Sequence, residues 1–147
     1  LDMLRHANIL IVGVGGVGAY AAEMIVRAGV GHMTIADADS DLLIGTLAVF
    51  AWNREQGRAE IGYSLHRDWQ GRGLASEALQ AVLRVLFNEL GLRRVEADID
   101  PRNHASCRLV EKLGFQREGL LRARWQVNEE VCDSLLYGLL RQDFIDP

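Results

Sequence analysis

The chain has 147 residues, 49% of them hydrophobic and 24% charged, with a formal net charge of −4. That length suits one domain around one core, and the acidic balance argues against nucleic acid or an anionic membrane as a partner. No apolar run reaches the ~18 residues of a membrane span. The apolar stretch at 9–30 is broken by five glycines and lacks the cleavage site of a signal peptide, so a cytoplasmic protein is expected. Cys107 and Cys132 have no paired metal spacing and are too few for a disulfide framework. They read as buried free thiols, and no metal is expected.

Residues 8–12 (N-I-L-I-V) form a short continuous apolar run, as in a buried parallel strand. A glycine loop follows at Gly13, Gly15 and Gly18. Val17, Ala21, Met24, Ile25 and Ala28 then recur at helical spacing, and Gly29 and Gly31 close that helix. Residues 32–36 read as a second strand ending in Asp37-Ala38-Asp39, which completes a β-α-β unit over 8–37. Beyond a polar turn at 39–41 the pattern changes from parallel crossover to hairpin. Strands are predicted at 42–52 and 59–65 around a turn at 53–57, then a loop over 66–73. Leu74, Ala78, Leu79, Val82, Leu83, Leu86 and Leu90 make one stripe of an amphipathic helix closed by Gly91. Alternation at Val95, Ala97 and Ile99 predicts a half-buried strand stopped by Pro101, and residues 105–113 a short helix stopped by Gly114. A final hairpin is predicted from 115–127 and 131–140, turning at 128–130.

Two constellations carry chemistry. Gly13-x-Gly15-x-x-Gly18, between a strand and a helix, has the form of a pyrophosphate loop, and Asp37 stands about where an acid would take ribose hydroxyls. The same glycines would equally serve strand–helix packing alone. The stretch 11–18 with Asp37-x-Asp39 resembles the opening of the E1-like adenylating family, relatives of ubiquitin-activating and sulfur-carrier-activating enzymes, over residues 4–39. The lysine and later aspartate with which that family handles ATP and magnesium have no counterpart at matching positions.

The second constellation is Gln70-Gly71-Arg72-Gly73-Leu74-Ala75, which opens the strongest helix directly after a strand. Glycines there leave backbone amides bare around a helix N-terminus, an anion cradle to which Arg72 adds charge. Arginines also cluster at 67/72, 93/94 and 122/124, either as solvated surface or as a pocket for an anionic cofactor. With Leu43-Ile44-Gly45-Thr46, residues 59–65, Glu77-Ala78-Leu79, Asn103-x-x-Ser106 and residues 111–115, the string resembles the GNAT acetyltransferases, in particular those acting on the N-termini of ribosomal proteins, over 41–147.

This second resemblance implies acetyl-CoA as cofactor and an amine as acceptor. It implies that strands 59–65 and 95–100 are parallel neighbours splaying at their ends. The pantetheine arm would lie in that gap, paired with backbone near Leu65, His66 and Arg67, with Gln70 alongside. The amides of Gly71, Arg72, Gly73, Leu74 and Ala75 would hold the pyrophosphate, and Asn103 and Ser106 would line the other wall. Val110 stands where many GNAT enzymes carry an acid tyrosine, which leaves Ser106 or a water as proton donor. Glu60, beside the gap, is the candidate base, or else a surface carboxylate. Tyr137 reads as a core or hairpin residue, and His66 and His104 as loop residues.

A complete GNAT domain opens with a strand and two helices that help form the acceptor pocket, and here the β-α-β unit occupies that place. The expected fold is therefore α/β: a single domain, 1–147, with a mixed β-sheet in which a GNAT-like core over 41–147 is completed by a Rossmann-type β-α-β fragment over 1–40. Three functions are compatible. They are an acetyl-CoA-binding acetyltransferase scaffold with weakened activity, an engineered recombined chimera that folds without a ligand, and nucleotide binding through Gly13–Gly18 and Asp37. A homodimer, including a segment-swapped one, is compatible with each.

Overall fold

The computed structural model describes residues 11–14, 32–37, 40 and 42–146. Among these residues, seven strands form one sheet in the order β1-β2-β3-β4-β5-β7-β6: β1 Ile11–Val14, β2 His32–Asp37, β3 Leu43–Asn53, β4 Arg58–Leu65, β5 Arg94–Ile99, β6 Gln116–Val127 and β7 Glu130–Leu140. The pairs β1/β2 and β4/β5 are parallel and every other pair is antiparallel, so the sheet is mixed as expected. Both sequence segments contribute strands to this sheet. The helix expected over 17–28 lies outside the described residues, as do Gly15, Gly18 and, at the expected seam, residues 39 and 41.

Two helices lie within the described residues, α1 (Leu74–Arg84) and α2 (His104–Lys112). The predicted stripe on α1 is the face that packs: Ala78, Leu79, Val82 and Leu83 are buried, with Leu86 and Phe87 beyond the helix end. The α-helix changes there to a π turn, Val85–Glu89, closed by Leu90 N–H donating to Val85 C=O at 2.9 Å. These side chains meet Ile44, Leu47 and Val49 of β3, Ala59 and Ile61 of β4, Val95, Ala97 and Ile99 of β5, and Leu135, Tyr137 and Leu139 of β7 in one apolar core. Each fully buried leucine there contributes about 1.5–3 kcal/mol by leaving water. Tyr137 belongs to this core. Its hydroxyl donates to Glu111 at 2.8 Å, and burial is the largest cause pushing its pKa up to about 12.

Bulges break the alternation that the sequence suggests. Ile44 and Leu47 are three residues apart, yet both are buried, because the β2/β3 register shifts beside Ile35 and Ala36. Ala51 and Ala123 take positive φ where the β3/β4 and β6/β7 registers shift. The final hairpin turns on Asn128 and Glu129, both at positive φ, as a two-residue turn requires.

Cys107 is buried and Cys132 half-buried, both as free thiols. Among the described residues, no helix is long and apolar enough to cross a membrane, and no group of three or more metal-ligating side chains is found.

Phe87 has no solvent exposure and stacks against Phe144 with ring centroids 5.3 Å apart. Phe87→Ala is expected to lower the free energy of unfolding by about 3–5 kcal/mol, measured by urea denaturation.

Candidate active site

β4 and β5 run parallel for four rungs, from Arg58–Arg94 to Ile61–Ala97, and then part. Past that point each strand follows its other neighbour. Gly62 to Leu65 stay paired with Ala48 to Gly45 of β3, while Asp98 and Ile99 stay paired with Leu136 and Leu135 of β7. The splay implied by the sequence resemblance is present.

A cleft of about 360 Å³ opens at this splay. Tyr63, Ser64 and Leu65 of β4 line one wall, Gln70, Gly71 and Gly73 with the first turn of α1 close one end, and Asn103, Ala105, Ser106, Arg108, Leu109 and Lys112 form the wall from α2. Gln70 reaches back to donate its side-chain amide to Leu65 C=O at 2.9 Å. Gly71 and Gly73 have φ of 79° and 76°, and a Cβ built on either would meet nothing within 4 Å. They are required by backbone conformation, and they leave the start of α1 open. No side chain caps that helix, so its first N–H groups point outward with the positive end of the helix dipole.

Leu65, Gln70, Gly71, Gly73, Leu74, Ala75, Asn103 and Ser106 thus line one cleft. His66, Arg67 and Arg72 lie beside it and are not among its lining residues. His66 caps a short 3-10 turn, Arg67–Trp69, its Nδ1 accepting from Asp68 N–H at 3.2 Å. The Arg72 guanidinium stacks over Trp69, 4.8 Å from the ring centroid. Asn103 serves as N-cap of α2, its Oδ1 accepting from Ser106 N–H at 3.1 Å.

Sequence reasoning missed five polar lining residues: Ser64, Ser76, Tyr63, Arg108 and Lys112. Tyr63 is half-buried and donates its hydroxyl to Ser106 C=O at 3.4 Å, and burial raises its pKa. Arg108 and Lys112 put two cations on the α2 wall. The signal for these two was helical spacing: 105, 108, 109 and 112 share one face, while Cys107 and Val110 turn to the core.

Glu60 lies elsewhere. Ala59 and Ile61 are buried under the helices, so the alternation of β4 directs Glu60 to the opposite face of the sheet. There it joins a second cleft of about 510 Å³ with Phe50, Asp98, Asp100, Arg102, Trp125, Glu130 and Asp133. Its cross-strand neighbours are Phe50 of β3 and Glu96 of β5. Burial, then Asp98 and Glu96, raises its pKa, and Arg124 opposes them. Glu60 and Ser106 therefore occupy two clefts, on the two faces of one splay. Asp37, expected to meet a ribose, accepts the Ser40 N–H at 2.9 Å and hydroxyl at 2.6 Å in the turn toward β3.

The chain matches the acetyltransferase (GNAT) domain family over residues 16–116. This match begins inside the segment that resembles the adenylating family and crosses the expected seam, and nothing in the likenesses supports a second family. The chain is 38% identical to an uncharacterized N-acetyltransferase, p20, of Bacillus licheniformis, over 77% of this chain and 64% of that protein. It is 33% identical to the ribosomal protein uS5-alanine N-acetyltransferase of Escherichia coli, over 57% of this chain and 43% of that one. Among solved structures, an acetyltransferase of the GNAT family from Bacillus anthracis aligns with a TM-score of 0.70 and 27% identity, covering 86% of this chain and 76% of its own. The chain spans less than two thirds of the length of the curated relatives it matches. A family match across most of the sequence, on the fold just described, places the chain in the GNAT acetyltransferase domain family.

Proposed function

We propose that this chain binds acetyl-CoA in the helix-side cleft and transfers its acetyl group to an amine that enters from the opposite face. The observation that carries this reading is the end of the β4–β5 ladder at Ile61–Ala97. It leaves a gap in the sheet with an anion cradle on one side and a carboxylate on the other.

The residues present suit the cofactor. A narrow cleft with an apolar floor takes an extended arm, and the bare amides around Gly71 to Ala75 take a pyrophosphate. Arg108 and Lys112 supply cations on the facing wall. Bound acetyl-CoA supplies an acetyl thioester at the gap. Glu60 takes a proton from the acceptor's ammonium group and frees the nitrogen lone pair for attack on the thioester carbon. Ser106 lines the cofactor side of the gap and supplies a hydroxyl to the sulfur as the carbon–sulfur bond breaks. Acceptance of a cationic amine fits the second cleft, where five carboxylates face one arginine, Arg102, itself ion-paired to Asp100 and Glu130.

Calorimetric titration tests the cofactor, with ATP as the parallel ligand. Acetyl-CoA is expected to bind saturably and ATP not to bind. Gly73→Ala is expected to weaken acetyl-CoA binding, since a left-handed non-glycine residue costs about 1–2 kcal/mol at the cradle. ATP binding in place of acetyl-CoA would overturn the assignment and favour the glycine loop at 13–18.

Asn103→Ala separates scaffold from cofactor contact. Loss of the α2 N-cap is expected to destabilise the ligand-free protein by about 1 kcal/mol, measured by denaturation without acetyl-CoA. Glu60→Gln is expected to lower kcat for amine acetylation by on the order of a hundredfold or more. The wild-type rate is expected to fall as pH drops through a value above the ordinary glutamate range, because the base must be ionised and its pKa is raised.

A further inference from the structure

Asp98 is the first residue of β5 beyond the last rung shared with β4. Alternation puts it on the face of Glu60, because Ala97 and Ile99 are buried on the other. Glu60 pairs in register with Glu96, so Asp98 follows two residues further along β5 on the same face, and both Glu60 and Asp98 line the open-face cleft. Both carboxylate oxygens of Asp98 are held. The Ser134 hydroxyl of β7 donates to Oδ1, and the Trp125 indole N–H of β6 donates to Oδ2 at 3.3 Å. Ser134 is completely buried, which makes this clamp part of the folded framework.

The donors are neutral, and that distinguishes Asp98 from the nearby carboxylates that are paired to arginines. Glu96 is tied to Arg94 at 3.0 Å, and Asp100 and Glu130 share Arg102. Those charges are largely compensated by their partners. A carboxylate held by a hydroxyl and an indole keeps its geometry and its full field.

We propose that Asp98 is a positioning residue for acetyl transfer, acting through Glu60: clamped by Ser134 and Trp125, it fixes a negative charge beside the carboxylate that takes the acceptor's proton. This rests on the reading of Glu60 as base. The groups that bear on Glu60 are Glu96 and Asp98 from β5, Arg124 from β6 and Arg58 on its own strand; Asp100, Arg102, Glu130, Cys132 and Asp133 line the same cleft, while β3 offers the apolar Phe50. Burial is the largest influence, Asp98 the second, and Arg124 acts against both. A nearby fixed anion makes Glu60 hold a proton more firmly, so it becomes a better match for an ammonium group.

The test is the titration of Glu60 by carboxyl carbon NMR, its resonance identified by its loss in Glu60→Gln. It is paired with the pH profile of kcat/KM for acetylation of a simple primary alkylamine. Asp98→Asn keeps an oxygen to accept from Ser134 and removes the charge. It is expected to move the Glu60 midpoint, and with it the acidic limb of kcat/KM, to lower pH by several tenths of a unit, while Asp98→Glu stays nearer the wild type. An unchanged midpoint in Asp98→Asn would overturn the proposal. A limb that stays put in Asp98→Asn but vanishes in Glu60→Gln would overturn the role of Asp98 and leave that of Glu60 standing. A limb that survives Glu60→Gln would remove the base reading itself.

Discussion

β4 and β5 each lie inside the sheet with two neighbours, and at their shared ladder those pairings conflict. β4 is held to β3 as far as Leu65, and the chain just past it is tied back by His66 N–H on Ile44 C=O at 2.6 Å and by Gln70 on Leu65 C=O. β5 is held to β7 as far as Ile99. Right-handed twist accumulates between neighbouring strands, so two strands committed to opposite partners separate once their own ladder is short. Here it has four rungs. The clefts on both faces follow from that separation.

The core explains why the gap persists. Leu79, Val82 and Leu83 of α1 share one core with Ala59, Ile61 and Val95, all with essentially no exposure. Apolar burial therefore joins the two halves of the sheet where hydrogen bonds are few. The helices that provide this burial also bring their N-termini to the splay, since each follows a strand that ends there. Packing and site geometry have one origin. The open face is different in kind: Glu60, Glu96 and Asp98 stand on it beside the exposed rings of Phe50 and Trp125.

Much of this was legible in the residues, for reasons that can be stated. The stripe from Leu74 to Leu90 is long and regular, and it located α1 and its packing face. Glycines at 71 and 73 marked the cradle because few other residues tolerate such backbone angles. The burial of Ile44 together with Leu47 was not legible, because a bulge changes the face of a strand without leaving a distinctive residue behind. The face of Glu60 was undetermined because alternation tells which residues share a face, not which face the helices cover. Arg108 and Lys112 read as ordinary surface cations until α2 was seen to present one side to the cleft. The family match runs through residues whose local pattern suggested another family, because a strand, a glycine turn and a helix are common to many folds.

Gly138 shows how far the support of the ladder extends. In the first rung two arginines, Arg58 and Arg94, face each other. Like charges so placed repel, yet this is the closed end of the ladder. Arg94 turns away across β7 to the carboxylates of Glu118 on β6 and Glu96 on its own strand. Its path lies directly over Gly138, where a single added carbon would come within 2.5 Å of Glu118 Oε1 and 2.6 Å of an Arg94 nitrogen. A residue with neither charge nor side chain therefore governs an electrostatic balance two strands away. At this end of the sheet an added methyl group would displace the flexible ends of Arg94 and Glu118 and so disturb the ion pair that draws Arg94 away from Arg58.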